Sequence, residues 1–600
     1  MPASYTIAEH IVNRLAALGA AHVFAVPGNY TAQFLQVAYA SGKLAYIGTT
    51  NEMEAGYAAD AYARLRGIGV ACVTYGVGSL SLLNAIAGAY VERCPVVLIN
   101  GTANADKVRQ LVSQGVLFAH AIDTVRTDAA AFRSYTAATV VVDRPQDAAR
   151  RIDEALRACI THKLPVYIEV HDDVWLDPCE QPENPDAPLT PFVPDTATDA
   201  DIAVATLAAV EDVVRRLRAA TKPVLWGGEE LQRYGLQDEF ERLIEVSGLP
   251  YTTTLLGKSL VSENKDTFVG VYDSVFAPAR TKAAVEEADC ILALGTILSD
   301  FYGKIVADQY DRMVLAAAGA VRVGRSVYTT VPLDRFVRAL LERWESEKVA
   351  APFDHERPAA FAAAQRLARL EAEQADTAFA AATDTKITWE AFFACLQRLL
   401  TDDMVVLADT SLVLFPAADL VIKRRSHFVA QTAWLSIGYT VGASVGISAA
   451  LGSEGRAVAL VGDGGFQTVP QAFATLARLD TRAIVIVFDN GLYGIEQFLV
   501  DRTYYETETP AVFFNELARW DYAKLGEALG GRGRVVATTC GLEAALREAR
   551  DAADSATLIA VPLDPRKLPR ELTGILPSAS LSAAADHAAV ATGFAAAGFN

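Results

Sequence analysis

The chain predicts an α/β protein of three doubly wound parallel-sheet domains. Short apolar, β-prone runs ending in turns alternate with helix-length segments, the pattern of a parallel sheet covered by helices on both faces. The alternation restarts after a Pro-, Asp- and Asn-rich stretch at 182–194 and again after a charged, Ala-rich stretch at 346–386. No short repeat runs through the sequence, so the blocks read as three separate doubly wound units. Six hundred residues exceed what one core usually organises. With 52% hydrophobic and 21% charged residues, the chain is expected to be well packed rather than disordered.

In the first block, residues 1–181, the runs 23–28, 70–76 and 96–101 read as strands ending in turns. Residues 182–194 read as an interdomain linker. The second block, 195–345, holds strands at 223–228 and 290–295 and ends in a helix at 333–344. Residues 346–386 suggest a helical connector. The third block, 387–565, carries strands at 404–408, 457–461, 483–488 and 556–561. Its small-residue run 443–451 is too short to cross a bilayer, contains Ser444 and Ser448, and reads as a buried helix. The tail 566–600 is Pro-, Ser- and Ala-rich; helix and lid both remain open.

A formal net charge of −19 argues against nucleic acid as a partner, because a phosphate backbone needs a basic face. It leaves room for an anionic substrate, since a local site can be positive on an acidic protein. No apolar segment reaches membrane-spanning length, and the first residues lack the charged and apolar regions of a signal peptide. The seven cysteines are scattered without zinc spacing, which points to reduced thiols in a cytoplasmic protein.

The most informative segment is Gly462-Asp463-Gly464-Gly465, followed after residues 465–489 by Asn490. Both ends follow apolar runs that read as buried strands. Glycines let a backbone approach a diphosphate closely, and a helix opening near Val469 and Pro470 would aim free N–H groups at it. Asp463 supplies a hard carboxylate oxygen and Asn490 an amide oxygen. Mg²⁺ takes few protein ligands and completes its shell with phosphate and water oxygens, so this pair suits a Mg²⁺-diphosphate.

The spacing resembles the diphosphate motif of thiamine-diphosphate (ThDP) enzymes. Further segments extend the likeness to about residues 5–565: 26–30 (VPGNY), 51–60 (NEMEAGYAAD), 74–81 (TYGVGSLS), 433–440 (AWLSIGYT) and 493–496 (YGIE). Together they are similar to the ThDP-dependent 2-oxo acid decarboxylases of the pyruvate, indolepyruvate and branched-chain type. The resemblance implies a pyrimidine-binding domain at 1–181, a central domain at 195–345 and a diphosphate-binding domain at 387–565. It implies Glu52 as the carboxylate that hydrogen-bonds the pyrimidine ring, Leu435 as a main-chain contact to the pyrimidine amine, and Ile437 as the apolar wedge between the cofactor rings. Leu492 offers a main-chain oxygen to Mg²⁺. Glu496 stands near the substrate and works best with a carboxyl raised by desolvation. Ile495 and Leu499 flank it and line the substrate pocket. The cofactor lies between two subunits in this family, so a homodimer or homotetramer is expected.

Three departures from the family pattern matter. Asn29 stands where the decarboxylases carry Asp, and it cannot exchange a proton near neutral pH. Of two adjacent family histidines only His120 remains; the first is Ala119, which also widens the pocket. Around Thr410 and Ser411 the polar diphosphate contacts give way to the apolar Leu412 and Val413. The expected function is ThDP- and Mg²⁺-dependent non-oxidative decarboxylation of a 2-oxo acid through an enamine. The altered cluster keeps open a carboligase that joins the donor to an aldehyde or second oxo acid. A catalytically weakened ThDP-binding protein and a flavin-using oxidative relative also stay open. A nicotinamide dehydrogenase is disfavoured, because no GxGxxG opens a strand–helix unit.

Overall fold

The computed structural model describes residues 5–121, 127–192, 198–347, 385–552, 555–573 and 575. Three sheets follow one another along the chain. The first comprises β1 (His22–Ala25), β2 (Ala45–Gly48), β3 (Gly69–Thr74), β4 (Val96–Thr102), β5 (Ala138–Val142) and β6 (Val166–His171), in the order β2-β1-β3-β4-β6-β5. Every pairing in it is parallel. β3, β4 and β6 are apolar-rich runs buried along nearly their whole length, as strands covered on both faces must be.

The second sheet comprises β7 (Pro223–Gly227), β8 (Tyr251–Thr253), β9 (Phe268–Val271), β10 (Cys290–Leu294), β11 (Met313–Ala317), β12 (Ala320–Val323) and β13 (Ser326–Thr329). Its order is β13-β12-β11-β10-β7-β8-β9. It departs from the expected all-parallel pattern at one edge, where β11, β12 and β13 pair antiparallel. Only two residues, Ala318 and Gly319, separate β11 from β12, too few for the crossover a parallel pairing needs.

The third sheet comprises β14 (Met404–Ala408), β15 (Phe428–Ala430), β16 (Arg456–Gly462), β17 (Ile484–Asp489), β18 (Arg532–Val535) and β19 (Thr557–Pro562), all parallel in the order β15-β14-β16-β17-β19-β18. Its order reverses beside β16, and loops at such a switch point form a binding crevice at the carboxyl ends of the strands.

Two helices join the first and third sheets. α1 (Glu52–Arg66) ends at Gly67, whose φ of 87° closes the helix in the left-handed region. α2 (Tyr439–Leu451) is the small-residue helix read as buried from its sequence, and it is buried almost throughout. They pack so closely that a Cβ on Gly446 would collide with the Ala58 carbonyl. The 182–192 stretch is irregular but pinned to the first domain: Arg14 donates to the carbonyls of Asn184 and Ala187, and Lys43 pairs with Asp186 at 2.6 Å. Residues 348–384 of the expected connector and most of the tail lie outside the described residues.

Candidate active site

The predicted site residues fall at the carboxyl ends of strands in the first and third sheets. In the first, α1 opens with Glu52, after Asn51 caps the helix by accepting from the Glu54 N–H at 2.8 Å. The loop after β3 passes directly over the Glu52 carboxylate, whose Oε1 lies 3.3 Å from where a Cβ on Gly78 would stand. That loop turns at Gly76, with φ 67°. The Gly76 N–H and the Ser79 hydroxyl both donate to the buried Asp128 carboxylate, at 2.5 Å each. A Cβ at Gly76 would collide with the His120 carbonyl, so the glycine lets the two loops touch.

His120 itself sits in the left-handed region, at φ 64°. The hydroxyl of Tyr75 donates to the Ala119 carbonyl, and the His120 ring meets Tyr75 and Tyr30 edge-on with centroids 5.5 and 6.4 Å apart. His120 is exposed, so it is not a satisfied core histidine. Ala119 and Asn29 are also exposed.

In the third sheet, Gly462 ends β16 and a short helix, α3 (Asp463–Thr468), opens at once. The expected start near Val469 and Pro470 is therefore corrected: the helix begins at Asp463 itself, and Pro470 precedes a second helix, Ala472–Arg478. Asp463 is 2% exposed. Its Oδ1 accepts from the Gly464 N–H at 3.0 Å and its Oδ2 from the Gly491 N–H at 2.5 Å. Burial pushes this carboxyl up to about 7, with the Asp489 charge adding to the rise and the two N–H groups and Arg519 opposing it.

Asn490 is also buried and accepts from the Leu492 N–H at 3.0 Å. Arg519 braces this turn by donating to Asp489 at 2.7 Å and to the Asn490 carbonyl at 3.0 Å. Helix α4 (Gly494–Val500) then presents Ile495, Glu496 and Leu499; Ile495 is half-buried, while Glu496 and Leu499 are exposed. This chain alone therefore does not bury Glu496 as its expected role would require.

Two further loops, after β14 and after β15, complete this half. Thr410 donates to the Gln431 carbonyl at 3.0 Å, and the Ser411 side chain lies 3.5 Å from where a Cβ on Gly462 would stand. Leu412 fills the space over Gly494, where a Cβ would collide with it. Leu435 adopts φ 61°, the conformation glycine takes without cost. Thr468 ties its neighbour to the glycine turn, donating to the carbonyls of Ile437 at 3.4 Å and Gly465 at 2.7 Å.

Besides Asp128, two more buried carboxylates at this site, Glu92 and Asp409, were not singled out from the sequence. Glu92, from the first domain, accepts from three consecutive N–H groups, those of Thr432, Ala433 and Trp434, at 2.8, 2.8 and 3.1 Å. Its second oxygen pairs with Arg64 at 2.7 Å, and Arg64 also pairs with Asp60. Asp409, directly after β14, accepts from Gly438 and Thr440. The only signal for either was an acidic residue in an otherwise apolar setting.

The third-sheet residues fit a Mg²⁺-diphosphate. Asp463 and Asn490 are hard oxygen donors at the ends of the paired strands β16 and β17, linked by the Gly491 N–H that donates to the Asp463 carboxylate. The turn itself requires glycine through close packing: a Cβ at Gly464 would collide with the Tyr493 ring and one at Gly465 with Asp409, while Gly462 has room beside Ser411. Among the described residues no group of three or more His, Cys, Asp or Glu could hold a metal ion.

The sequence matches three family models in order. Residues 5–123 match the thiamine pyrophosphate enzyme N-terminal TPP binding domain, 210–343 the central domain and 414–561 the C-terminal TPP binding domain. The chain belongs to the ThDP-dependent 2-oxo acid decarboxylase family and is an enzyme. It is 30% identical to an alpha-keto-acid decarboxylase of Mycobacterium tuberculosis over 95% of this chain and 96% of that protein. It is also 30% identical to pyruvate decarboxylase 1 of Zea mays over 88% of this chain and 82% of that protein. Pyruvate decarboxylase 3 of Arabidopsis thaliana is 29% identical over 91% of this chain and 87% of that protein.

Proposed function

We propose that the chain is a ThDP- and Mg²⁺-dependent decarboxylase of a 2-oxo acid, acting as a homodimer or homotetramer. The pairing of Asp463 with the Gly491 turn, beside Asn490 and the glycine turn that opens the helix after β16, carries the reading. Asp463, Asn490 and the Leu492 carbonyl hold Mg²⁺, while the turn 462–465 with Thr410 and Ser411 receives the diphosphate. The Leu435 carbonyl accepts from the pyrimidine amine, and Ile437 and Ile495 pack against the rings. Glu52 hydrogen-bonds the pyrimidine and moves its proton. Glu496 and His120 orient the substrate carboxylate and return a proton after CO₂ leaves, with Asn29 as a hydrogen-bonding neighbour. Bound ThDP supplies the nucleophilic carbon and accepts the electron pair that CO₂ leaves behind.

Exposed apolar side chains border both halves: Val77, Leu80 and Leu117 on one, Ile437, Leu499, Phe513 and Phe514 on the other. Their exposure supports a second copy as the cover, with Glu52 of one chain meeting the metal turn of another. The central domain fills its own switch point with protein groups. At its switch point Glu229 accepts from the Ile297 N–H at 2.6 Å and the Thr254 hydroxyl at 3.0 Å, and a Cβ on Gly228 would collide with Gly295 and Thr296. No helix among the described residues is long and apolar enough to cross a membrane. The seven cysteines form no disulfide, which supports a cytoplasmic setting.

A second reading, carboligation, is favoured by Asn29 and Ala119, which leave His120 as the one imidazole of the expected cluster. Incubation with ThDP, Mg²⁺ and a panel of 2-oxo acids, with and without an added aldehyde, tests both. Free aldehyde and CO₂ support decarboxylation, and a ligated hydroxyketone supports the second reading. Cofactor binding without CO₂ from any substrate contradicts both and leaves a weakened ThDP-binding protein.

A further inference from the structure

One buried carboxylate at the site has no part in the chemistry above. Asp409 follows β14, and its N–H donates to the Leu460 carbonyl at 2.9 Å, adding a rung to the β14–β16 ladder. Its side chain is thereby fixed at the centre of the sheet's carboxyl edge, where it is 1% exposed. One oxygen accepts from the Gly438 N–H at 2.9 Å. The other accepts from the Thr440 N–H at 3.2 Å and its hydroxyl at 3.0 Å. These donors lie at the amino end of α2, which favours a negative charge there.

The first oxygen also occupies the space that a Cβ on Gly465 would take. One carboxylate therefore touches the end of the loop that carries Leu435 and Ile437, the first turn of α2, and the glycine turn. Burial pushes the carboxyl up to about 6 despite these hydrogen bonds, so holding it ionised there is costly.

We propose that Asp409 is a positioning residue, which fixes the ring-contacting loop at Leu435 and Ile437 relative to the diphosphate turn at 462–465. This rests on the ThDP reading above. The cofactor spans both segments, so its affinity requires them to stand at one separation. A ligand that fills only the diphosphate turn has no such requirement. A residue that merely caps α2 would affect both ligands alike.

The decisive variant is Asp409→Asn. An amide offers one acceptor oxygen, so it can serve Gly438 or Thr440 but not both, and its NH₂ group then faces an N–H. A milder variant, Thr440→Val, removes one donor to the same carboxylate. Calorimetric titration with ThDP and Mg²⁺, and separately with inorganic diphosphate and Mg²⁺, reads the two segments independently. The expected result for Asp409→Asn is an affinity for ThDP weaker by about tenfold, with diphosphate affinity changed by less than about twofold. Thr440→Val should show the same selectivity with a loss of about threefold, and it carries the test alone if Asp409→Asn does not fold. Equal losses for both ligands, a larger loss for diphosphate, or unchanged ThDP affinity overturns the proposal. Failure of the wild-type chain to bind ThDP would instead overturn the functional reading itself.

Discussion

Asp463 is a buried carboxylate at the head of the short helix after β16. Its oxygens are met by two N–H groups, yet burial still pushes it up to about 7. Asp463→Ala should lower Mg²⁺-dependent ThDP affinity by about a hundredfold or more, measured by calorimetry. Glu52 makes a different prediction because its role is proton movement rather than grip. Glu52→Gln should cut CO₂ release by at least about a hundredfold while ThDP affinity stays within a few-fold, read by steady-state rates beside titration. Asp463 and Asn490 were legible in the sequence because the glycines and strand ends that place them are local. Glu92 and Asp409 were not, because their partners are backbone N–H groups of distant segments, which no residue pattern displays. Leu435 was read as a backbone contact; its φ of 61° adds that the backbone there is bent as glycine would allow. For a branched side chain that conformation costs roughly 1–2 kcal/mol.

Among elements, the loop 431–438 depends most on its surroundings. Glu92 grips its start, Asp409 its end, and the Tyr57 hydroxyl lies 2.7 Å from the Ser436 hydroxyl between them. Glu92→Ala leaves three consecutive N–H groups, that of Thr432 buried, without their acceptor and deprives Arg64 of one of its two carboxylates. Urea denaturation should show a loss of about 3–5 kcal/mol, and ThDP affinity should fall with it. Strands β1, β3 and β4 of the first sheet and β14, β16, β17 and β19 of the third were readable because buried parallel strands are continuous apolar runs, whereas β2, β5, β6, β15 and β18 were not read. The start of α3 was misplaced because Pro470 looks like a first helical residue, whereas Asp463 enters the helix directly from β16. The antiparallel edge of the second sheet was missed because its strands β12 and β13 are short and partly exposed.

In the molecule as a whole, the domains are joined through buried polar contacts. Lys258 of the central domain donates to both Glu263 oxygens, at 2.9 and 2.8 Å, and to the Leu420 carbonyl of the third at 2.6 Å. The central domain also carries a pH dependence. Burial pushes the Glu229 carboxyl from an ordinary 4.5 up to about 8. The folded state thus holds a proton that the unfolded chain releases at lower pH. The associated stability is fully present below about 4.5 and is lost as pH rises through about 8. Glu229→Gln should flatten the decline in unfolding free energy between pH 5 and 8, whose slope from this group reaches up to about 1.4 kcal/mol per pH unit. Unchanged slopes by urea titration would show that Glu229 is not the group responsible.

The architecture as a whole converges on one site built around the turns after β16 and β17. Isothermal titration of the full-length chain with ThDP, in Mg²⁺ and then in a chelator, tests it most directly. The account predicts saturable binding of one ThDP per chain that disappears when the metal is removed. No binding with Mg²⁺ present, or equal binding without it, would contradict the account.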